Sequence, residues 1–156
     1  MPERRVVVTG LGVVSPIGIG RDEFWTALKK GTKDISRISH FDTAAFDCKI
    51  AGEVKNFDPS KYLDKKEARR LGKYITFASA AAQLALKDAS LEINEELSPK
   101  TGVMIGSGIG GIQFLEEQAG VLKDKGPGKC SPFMVPLMIN DMAAGIVAIH
   151  TKAKGP

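Results

Sequence analysis

Residues 4–31 read RRVVVTGLGVVSPIGIGRDEFWTALKKG, and they predict a strand, a glycine-rich loop and a helix in that order. The β-branched run at 6–9 ends at Gly10, which is typical of a buried strand that is closed by a turn. At 22–30 apolar residues recur at helical spacing, acidic residues come first and lysines last, and Gly31 supplies a C-terminal stop. A strand that leads into a helix in this way is the repeating unit of α/β proteins.

A second strand and helix of the same kind follow after a long connection. Residues 32–60 predict this connection, with one short strand near 49–54, and 74–89 predicts a helix whose small side chains suit central packing. The apolar run 101–105 predicts another buried strand, and the glycine-rich loop at 106–111 leads from it into a helix. The order of these elements predicts the α/β class with a mainly parallel sheet.

The C-terminal part of the chain points to strands beyond it. Residues 131–136 contain two prolines and predict an extended segment, 137–149 predicts a helix, and Gly155-Pro156 predicts a turn. A parallel sheet that is buried on both faces needs more strands than two, and the closing turn would normally lead into another strand. We therefore expect 1–156 to be a single segment of a larger domain.

Composition indicates a globular chain with one local excess of positive charge. Of the 156 residues 43% are hydrophobic and 26% charged, and the formal net charge is +4. Residues 61–73 hold six basic and two acidic side chains, which leaves 16 of each sign elsewhere. The whole excess is therefore one patch, and this pattern favours a local acidic partner over a generally cationic protein.

The basic patch allows several interpretations. The side chains that would share one helical face are Lys66, Arg69, Arg70 and Lys73. A solvated face explains them without a function. Nucleic acid is disfavoured because only Tyr62 and Tyr74 flank the patch and no nucleic-acid-binding fold accompanies it. A small acidic protein or a phosphorylated carrier fits a compact patch at least as well.

Several other chemistries are disfavoured by spacing. The first ten residues lack the apolar segment of roughly 7–15 residues of a secretory signal, and no stretch approaches the roughly 18 apolar residues of a membrane span, so we expect a cytoplasmic protein. Cys48 and Cys130 form no metal or disulfide pattern with each other or with His40 and His150. Cys130 lies in an extended segment without a helix N-terminus to lower its pKa, which disfavours a catalytic pair with His150.

The two glycine-rich loops differ in what they allow. The loop at 10–20 lacks the third glycine of a dinucleotide fingerprint, since Ser15 stands there and Pro16 follows. The loop at 106–111 is the better candidate for a backbone that approaches a ligand closely, although ordinary turn chemistry also explains it.

Taken together, the motifs resemble the N-terminal part of a β-ketoacyl-acyl carrier protein synthase, in particular the type II condensing enzymes of fatty acid synthesis. The segments that carry the resemblance are VVVTGLGVVSPIG at 6–18, the basic segment and helix at 69–89, GSGIGG at 106–111, SPFMVP at 131–136 and KGP at 154–156. They cover the entire chain in the family's order, which makes the resemblance specific.

The resemblance implies a fold and an activity. The fold is the thiolase-like five-layer αβαβα arrangement of a homodimer, of which this chain would be an incomplete N-terminal half. The family's nucleophilic cysteine follows the Lys-Gly-Pro segment, and its catalytic histidines and lysine lie further on. No catalytic residue is thus expected in this chain, which should be inactive alone. The activity implied for the parent is decarboxylative condensation of an acyl-enzyme with malonyl-acyl carrier protein. No metal or other cofactor is expected, since the substrates arrive on carrier phosphopantetheine.

The same resemblance assigns binding residues. Lys66, Arg69 and Arg70 would contact the acidic acyl carrier protein. Ile109 would line the acyl pocket. Met134 and Val135 would reach the partner subunit's pocket across the dimer, and Met134 stands where a bulky apolar or aromatic side chain is usual. Two alternatives stay open: a non-catalytic module that binds a carrier or another acidic partner, and a ketosynthase segment of a polyketide pathway. Neither nucleic acid nor a membrane is an expected partner.

Overall fold

The computed structural model describes residues 4–156, so the first three residues of the predicted 1–156 segment lie outside the described residues. The described chain divides into two compact units. Unit one holds the residues up to Asp58 together with Gln83–Leu91, and unit two holds Pro59–Ala82 and Glu92–Pro156. The long central helix contributes to both units.

Helices dominate the structure, and the strands are short. The strands are β1 (Val14–Ser15), β2 (Gly18–Ile19), β3 (Ile35–Arg37) and β4 (Ile50–Gly52). The helices are α1 (Arg21–Lys29), α2 (Lys65–Arg70), α3 (Lys73–Asp88), α4 (Ile112–Lys125), α5 (Met134–Met138) and α6 (Met142–Thr151). Single 3-10 turns lie at Pro59–Lys61, Ser98–Lys100 and Pro127–Lys129. The helices predicted from 22–30, 74–89 and the segment after 111 are confirmed with small shifts of their ends.

Unit one is built around two antiparallel hairpins, β1–β2 and β3–β4. In the second hairpin Ile35 lies opposite Gly52, and β4 confirms the strand predicted near 49–54. The buried carboxylate of Glu53 accepts hydrogen bonds from the Ser39 hydroxyl at 2.7 Å and the Ser39 amide at 3.0 Å. These bonds hold the pKa of Glu53 below its ordinary value, because they favour the ionised form.

The strands predicted at 4–9 and 101–105 are not formed as paired strands. Within residues 4–156 the two hairpins are the paired strands, and both are antiparallel. Val6 is 93% exposed and Met104 is 99% exposed. Apolar β-branched sequence predicts a buried strand, but burial also needs a neighbouring strand on each side and covering helices. The expectation that these segments build a mainly parallel sheet is therefore not met among the described residues.

The segment at 131–136 is a second correction, because it was predicted to be extended and the structure places a helix there. Helix α5 begins at Met134 after Phe133, and Pro136 is its third residue. The first turn of a helix has amide groups without intrahelical partners, so a proline there removes no hydrogen bond. The helix predicted over 137–149 is accordingly split, since α5 ends at Met138 and α6 begins at Met142.

The apolar core of unit two lies where α3, α5 and α6 meet. Ile75, Leu137 and Ala143 form its buried centre, and Ile75 and Ala143 are fully inaccessible. Partly buried side chains surround this centre, among them Tyr74 and Phe114. The core therefore fixes the N-terminal half of α3 against α5.

Candidate functional site

Helix α2 carries the predicted basic residues, and Asp64 holds its first turn. The Asp64 carboxylate accepts from the backbone amides of Lys66 at 2.8 Å and Glu67 at 2.9 Å. The Glu67 amide is the main cause that lowers the pKa of Asp64, and the Lys66 amide adds to it. An acidic cap at the N-terminus and arginines in the last turn both suit the helix dipole.

The structure places Lys66, Arg69 and Arg70 together on the exposed surface of this six-residue helix. Lys73, the fourth residue of the predicted face, is also exposed and begins α3. Glu67, between them in sequence, is only partly exposed. The helix predicted for Lys66, Arg69 and Arg70 is thus confirmed, but the helical face does not extend to Lys73, because α2 ends at Arg70 and Leu71 is extended. The role of the patch in docking stays a prediction.

Arg70 joins α2 to the start of α5. Its guanidinium lies over the Phe133 ring, 4.6 Å from the ring centroid, which is a cation–π contact. Phe133 immediately precedes Met134, one of the predicted acyl-pocket residues. Sequence reasoning missed Phe133, because 63 positions separate it from Arg70 and no local pattern connects the two.

A cavity of about 540 Å³ lies beside α2 within unit two. Three basic residues of the patch region line it, together with aromatic rings and the glycine pair at the start of α4. The basic and aromatic residues that line it are Arg69, Arg70, Lys73, Tyr74, Phe77 and Phe114. Ile109, Met134 and Val135 are not among its lining residues. The cavity is therefore a basic and aromatic recess beside the patch, and the sequence did not predict it.

The glycine-rich loop at 106–111 packs against the protein's own backbone. The Gly111 amide donates to the Met138 carbonyl at 3.0 Å, and Asn140 donates from Nδ2 to the Ser107 carbonyl at 3.1 Å. Gly110 has a φ of 72°, and a Cβ at either glycine would collide with backbone of the segment from Leu137 to Asn140. Close packing and turn geometry thus explain the two glycines at the end of the loop.

The predicted acyl-pocket residues lie on this loop and on α5. Ile109 is in the loop and 64% exposed, whereas Met134 is half-buried and Val135 is 59% exposed at the start of α5. The Gly111–Met138 hydrogen bond ties the loop to the other end of α5. The structure thus holds the three residues in one unit, and their role in an acyl pocket stays a prediction.

Tyr74 fixes the linker between α5 and α6. Its hydroxyl donates to the Ile139 carbonyl at 2.8 Å. Burial raises the pKa of Tyr74, and the negative charge of Asp141 raises it further. The Tyr74 hydroxyl therefore keeps its proton and can donate this hydrogen bond to the linker.

Cysteine and histidine form no catalytic or metal cluster in the part of the chain that the structure describes. Cys48 is exposed with its thiol 3.5 Å from the Ile50 carbonyl, and Cys130 is half-buried. Among residues 4–156 no group of three or more His, Cys, Asp or Glu side chains could hold a metal ion. No helix of these residues has both the length and the apolar character that a membrane crossing needs.

The solved structures that resemble this chain are ketosynthases. A β-ketoacyl synthase from Burkholderia phymatum matches 99% of the chain and 38% of its own length, with a TM-score of 0.80 and 27% identity. A ketosynthase solved in complex with its type II polyketide acyl carrier protein matches 99% of the chain and 41% of its own, with a TM-score of 0.80 at 18% identity, which shows the fold alone. The fold is therefore the N-terminal part of the thiolase-like ketosynthase fold.

The chain belongs to the β-ketoacyl synthase family. The family model described as beta-ketoacyl synthase, N-terminal domain, matches residues 3–156. A 3-oxoacyl-[acyl-carrier-protein] synthase 2 from Synechocystis sp. is 48% identical over 156 residues, which is 100% of this chain. The chain spans 38% of the length of that curated relative.

Proposed function

We propose that this chain is the part of a type II 3-oxoacyl-[acyl-carrier-protein] synthase that supplies the carrier-docking face and some of the acyl pocket. The observation that carries the proposal is the 48% identity to a 3-oxoacyl-[acyl-carrier-protein] synthase 2 along the whole chain. The exposed basic helix α2 supports it, because a carrier-dependent enzyme needs a surface for an acidic carrier protein.

The proposed reaction of the whole enzyme is decarboxylative condensation. An enzyme cysteine thiolate attacks the acyl thioester on the carrier's phosphopantetheine, forms an acyl-enzyme and releases the carrier thiol. Malonyl carrier protein then loses CO₂, and the resulting carbanion equivalent attacks the acyl-enzyme carbonyl. The new carbon–carbon bond yields a 3-oxoacyl carrier and returns the cysteine thiolate. These steps balance without an oxidant or reductant, so we propose that no further cofactor takes part.

Docking would be electrostatic in origin. Lys66, Arg69 and Arg70 present positive charge from one short helix, which favours encounter with an acidic surface and fixes its orientation. The contact of Arg70 with Phe133 limits the freedom of one of these side chains. Less side-chain entropy is then lost when the carrier binds.

The acyl pocket would be shared between subunits of a homodimer. Ile109 would face the subunit's own acyl chain, and the exposed side chain of Val135 with Met134 would reach the pocket of the partner. Methionine is unbranched and adapts to irregular spaces, so Met134 favours a pocket that admits acyl chains of several lengths. A cytoplasmic location likewise stays a prediction.

Charge reversal tests the docking face. In the full native protein, Lys66→Glu, Arg69→Glu and Arg70→Glu combined should weaken binding of an acidic acyl carrier protein by about 100-fold or more at low salt, since each reversal turns attraction into repulsion. Titration calorimetry measures the affinity. The matched control is Lys29→Glu in the last turn of α1, which removes a lysine outside the patch. Unchanged affinity in the triple variant would contradict carrier docking on α2.

The expected inactivity of the isolated chain has its own test. The 156-residue chain should form no 3-oxoacyl product from acyl and malonyl carrier proteins, because the family's nucleophilic cysteine lies beyond the Lys-Gly-Pro segment. Product analysis by mass spectrometry measures this. Turnover by the chain alone would show that it contains a catalytic centre after all.

A polyketide ketosynthase is the second candidate. The structural neighbour in complex with a polyketide carrier favours it, but that neighbour shares only 18% of its sequence with this chain. Assays of the full native protein with saturated acyl carriers and with 3-oxoacyl carriers separate the two. Extension of saturated acyl groups supports fatty acid elongation, and exclusive extension of 3-oxoacyl groups supports the polyketide alternative.

A further inference from the structure

The docking helix α2 has one acidic residue, and that residue is paired with a histidine. The helix reads KKEARR, so Glu67 is its only acidic side chain among four basic ones. The Nε2 atom of His150, in the last turn of α6, lies 3.2 Å from the Glu67 carboxylate. Both side chains keep some contact with solvent, at 37% exposure for Glu67 and 23% for His150. The pair can therefore exchange protons with bulk water while it holds α2 against α6.

We propose that protonation of His150 controls how strongly α2 binds an acidic partner. When the imidazole is charged, it neutralises Glu67, and α2 presents its basic residues without an opposing charge. When the imidazole is neutral, the net positive charge of α2 together with His150 is one unit lower, and an acidic surface is attracted less strongly. His150 is then a positioning residue that acts through Glu67. This inference rests on the proposed function, since the acidic partner is the acyl carrier protein.

Several other charged groups lie near the Glu67–His150 pair along the chain. On α2, the basic side chains nearest to Glu67 in sequence include Lys66 and Arg70. The Asp64 carboxylate is occupied by backbone amides and titrates only in acid. Lys152 follows α6 as its C-terminal cap residue. Histidine is the side-chain type whose charge ordinarily changes between about pH 5 and 8.

The direction of the effect follows from the charges. As the pH falls from about 8 to 5.5, the imidazolium forms, Glu67 is neutralised, and affinity for an acidic carrier rises. Because the pair is partly exposed, we expect about a two- to fivefold increase in affinity. By linkage, binding of the carrier must draw protons onto the complex within this range.

Two variants that should shift the carrier affinity in opposite directions test the proposal. In the full native protein at fixed low ionic strength, carrier affinity is titrated at several pH values between about 5.5 and 8. His150→Gln keeps an amide donor but cannot gain charge, so its affinity should stay at the weaker level at every pH. Glu67→Gln removes the negative charge of the pair, so its affinity should equal or exceed the stronger wild-type level at every pH. His40→Gln changes a histidine of unit one and should keep the wild-type pH profile.

Proton uptake provides a second measurement that needs no variant. Calorimetry of the wild-type protein in two buffers of different ionisation enthalpy should show uptake of a fraction of a proton on carrier binding near neutral pH. A wild-type profile in His150→Gln, or no proton uptake, would overturn the inference. If the wild-type protein binds no carrier at any pH, the proposed function fails. If the wild-type protein binds the carrier with an affinity that does not depend on pH, and the α2 charge reversals abolish that binding, only this inference fails.

Discussion

Asp64 is the residue on which the short helix α2 depends. A helix of six residues cannot be stabilised by its own hydrogen bonds alone, because nucleation costs more than a few bonds return. Asp64 satisfies the amides of Lys66 and Glu67, which have no intrahelical partners. The basic residues share one exposed surface only while this turn is formed.

The stabilisation of α2 by the Asp64 carboxylate depends on pH. The folded-state pKa of Asp64 lies below its unfolded value, so its stabilising contribution is present above the unfolded pKa and is lost as the pH falls through the folded pKa. Asp64→Ala should therefore lower the amide exchange protection of Lys66 and Glu67 at neutral pH, as measured by NMR. Asp64→Asn, which still caps, should retain protection without dependence on acid. Equal protection in wild type and Asp64→Ala would contradict this role.

The residues of the candidate site differ in how far the sequence could predict them. The spacing of Lys66, Arg69 and Arg70 places them on one helical face, because residues three and four apart are neighbours on a helix. The partner of Glu67 is His150, which lies 83 positions away, and no local pattern connects them. Contacts of this kind depend on how α2 and α6 pack, so only the tertiary structure reveals them.

At the scale of elements, the end of the chain is held against the segment before α4. The Ser98 hydroxyl donates to the Lys152 carbonyl at 2.6 Å, and the Gly155 amide donates to the Thr101 carbonyl at 2.8 Å. A Cβ at Gly155 would lie 2.8–2.9 Å from Thr101 backbone atoms, which cannot move without breaking this contact. The Lys-Gly-Pro segment therefore needs its glycine for close backbone packing.

Two glycine substitutions should have opposite effects on stability. Gly155→Ala should lower the free energy of unfolding by about 1–3 kcal/mol, because the added methyl group meets backbone. Gly145→Ala lies within α6, where the added Cβ would meet no atom within 4 Å apart from its chain neighbours and the backbone of its own helix, and it should raise this free energy by about 0.5–1 kcal/mol through helix propensity. Urea unfolding of the full native protein measures both. Destabilisation of equal size in the two variants would refute the packing argument.

At the scale of the whole molecule, apolar segments that resemble strands lie open to solvent. Val6 in unit one is 93% exposed, and Met104 in unit two is 99% exposed. Such segments are ready to pair with other chains when no strand covers them. The chain spans 38% of a relative's length, so the isolated chain and the full native protein should differ most in these segments.

Self-association should follow from this exposure. In sedimentation velocity experiments, the sedimentation coefficient of the isolated 156-residue chain should increase with protein concentration. Val6→Lys and Met104→Lys should each reduce the increase while changing the free energy of unfolding by less than about 0.5 kcal/mol, since both side chains are exposed. The control Glu95→Lys adds positive charge at an exposed polar position and should have no effect. A monomer at all concentrations would contradict the prediction.

By itself the sequence determined the main helices, the helical face of Lys66, Arg69 and Arg70, and the family, because helical periodicity is local and motif order can be compared along the chain. The tertiary structure decided that 4–9 and 101–105 are unpaired among the described residues, that α5 tolerates Pro136, and that His150 pairs with Glu67. Strand pairing and side-chain contacts join residues that are distant in sequence. Their free energy depends on which neighbours are present and how they pack, and no local pattern encodes that.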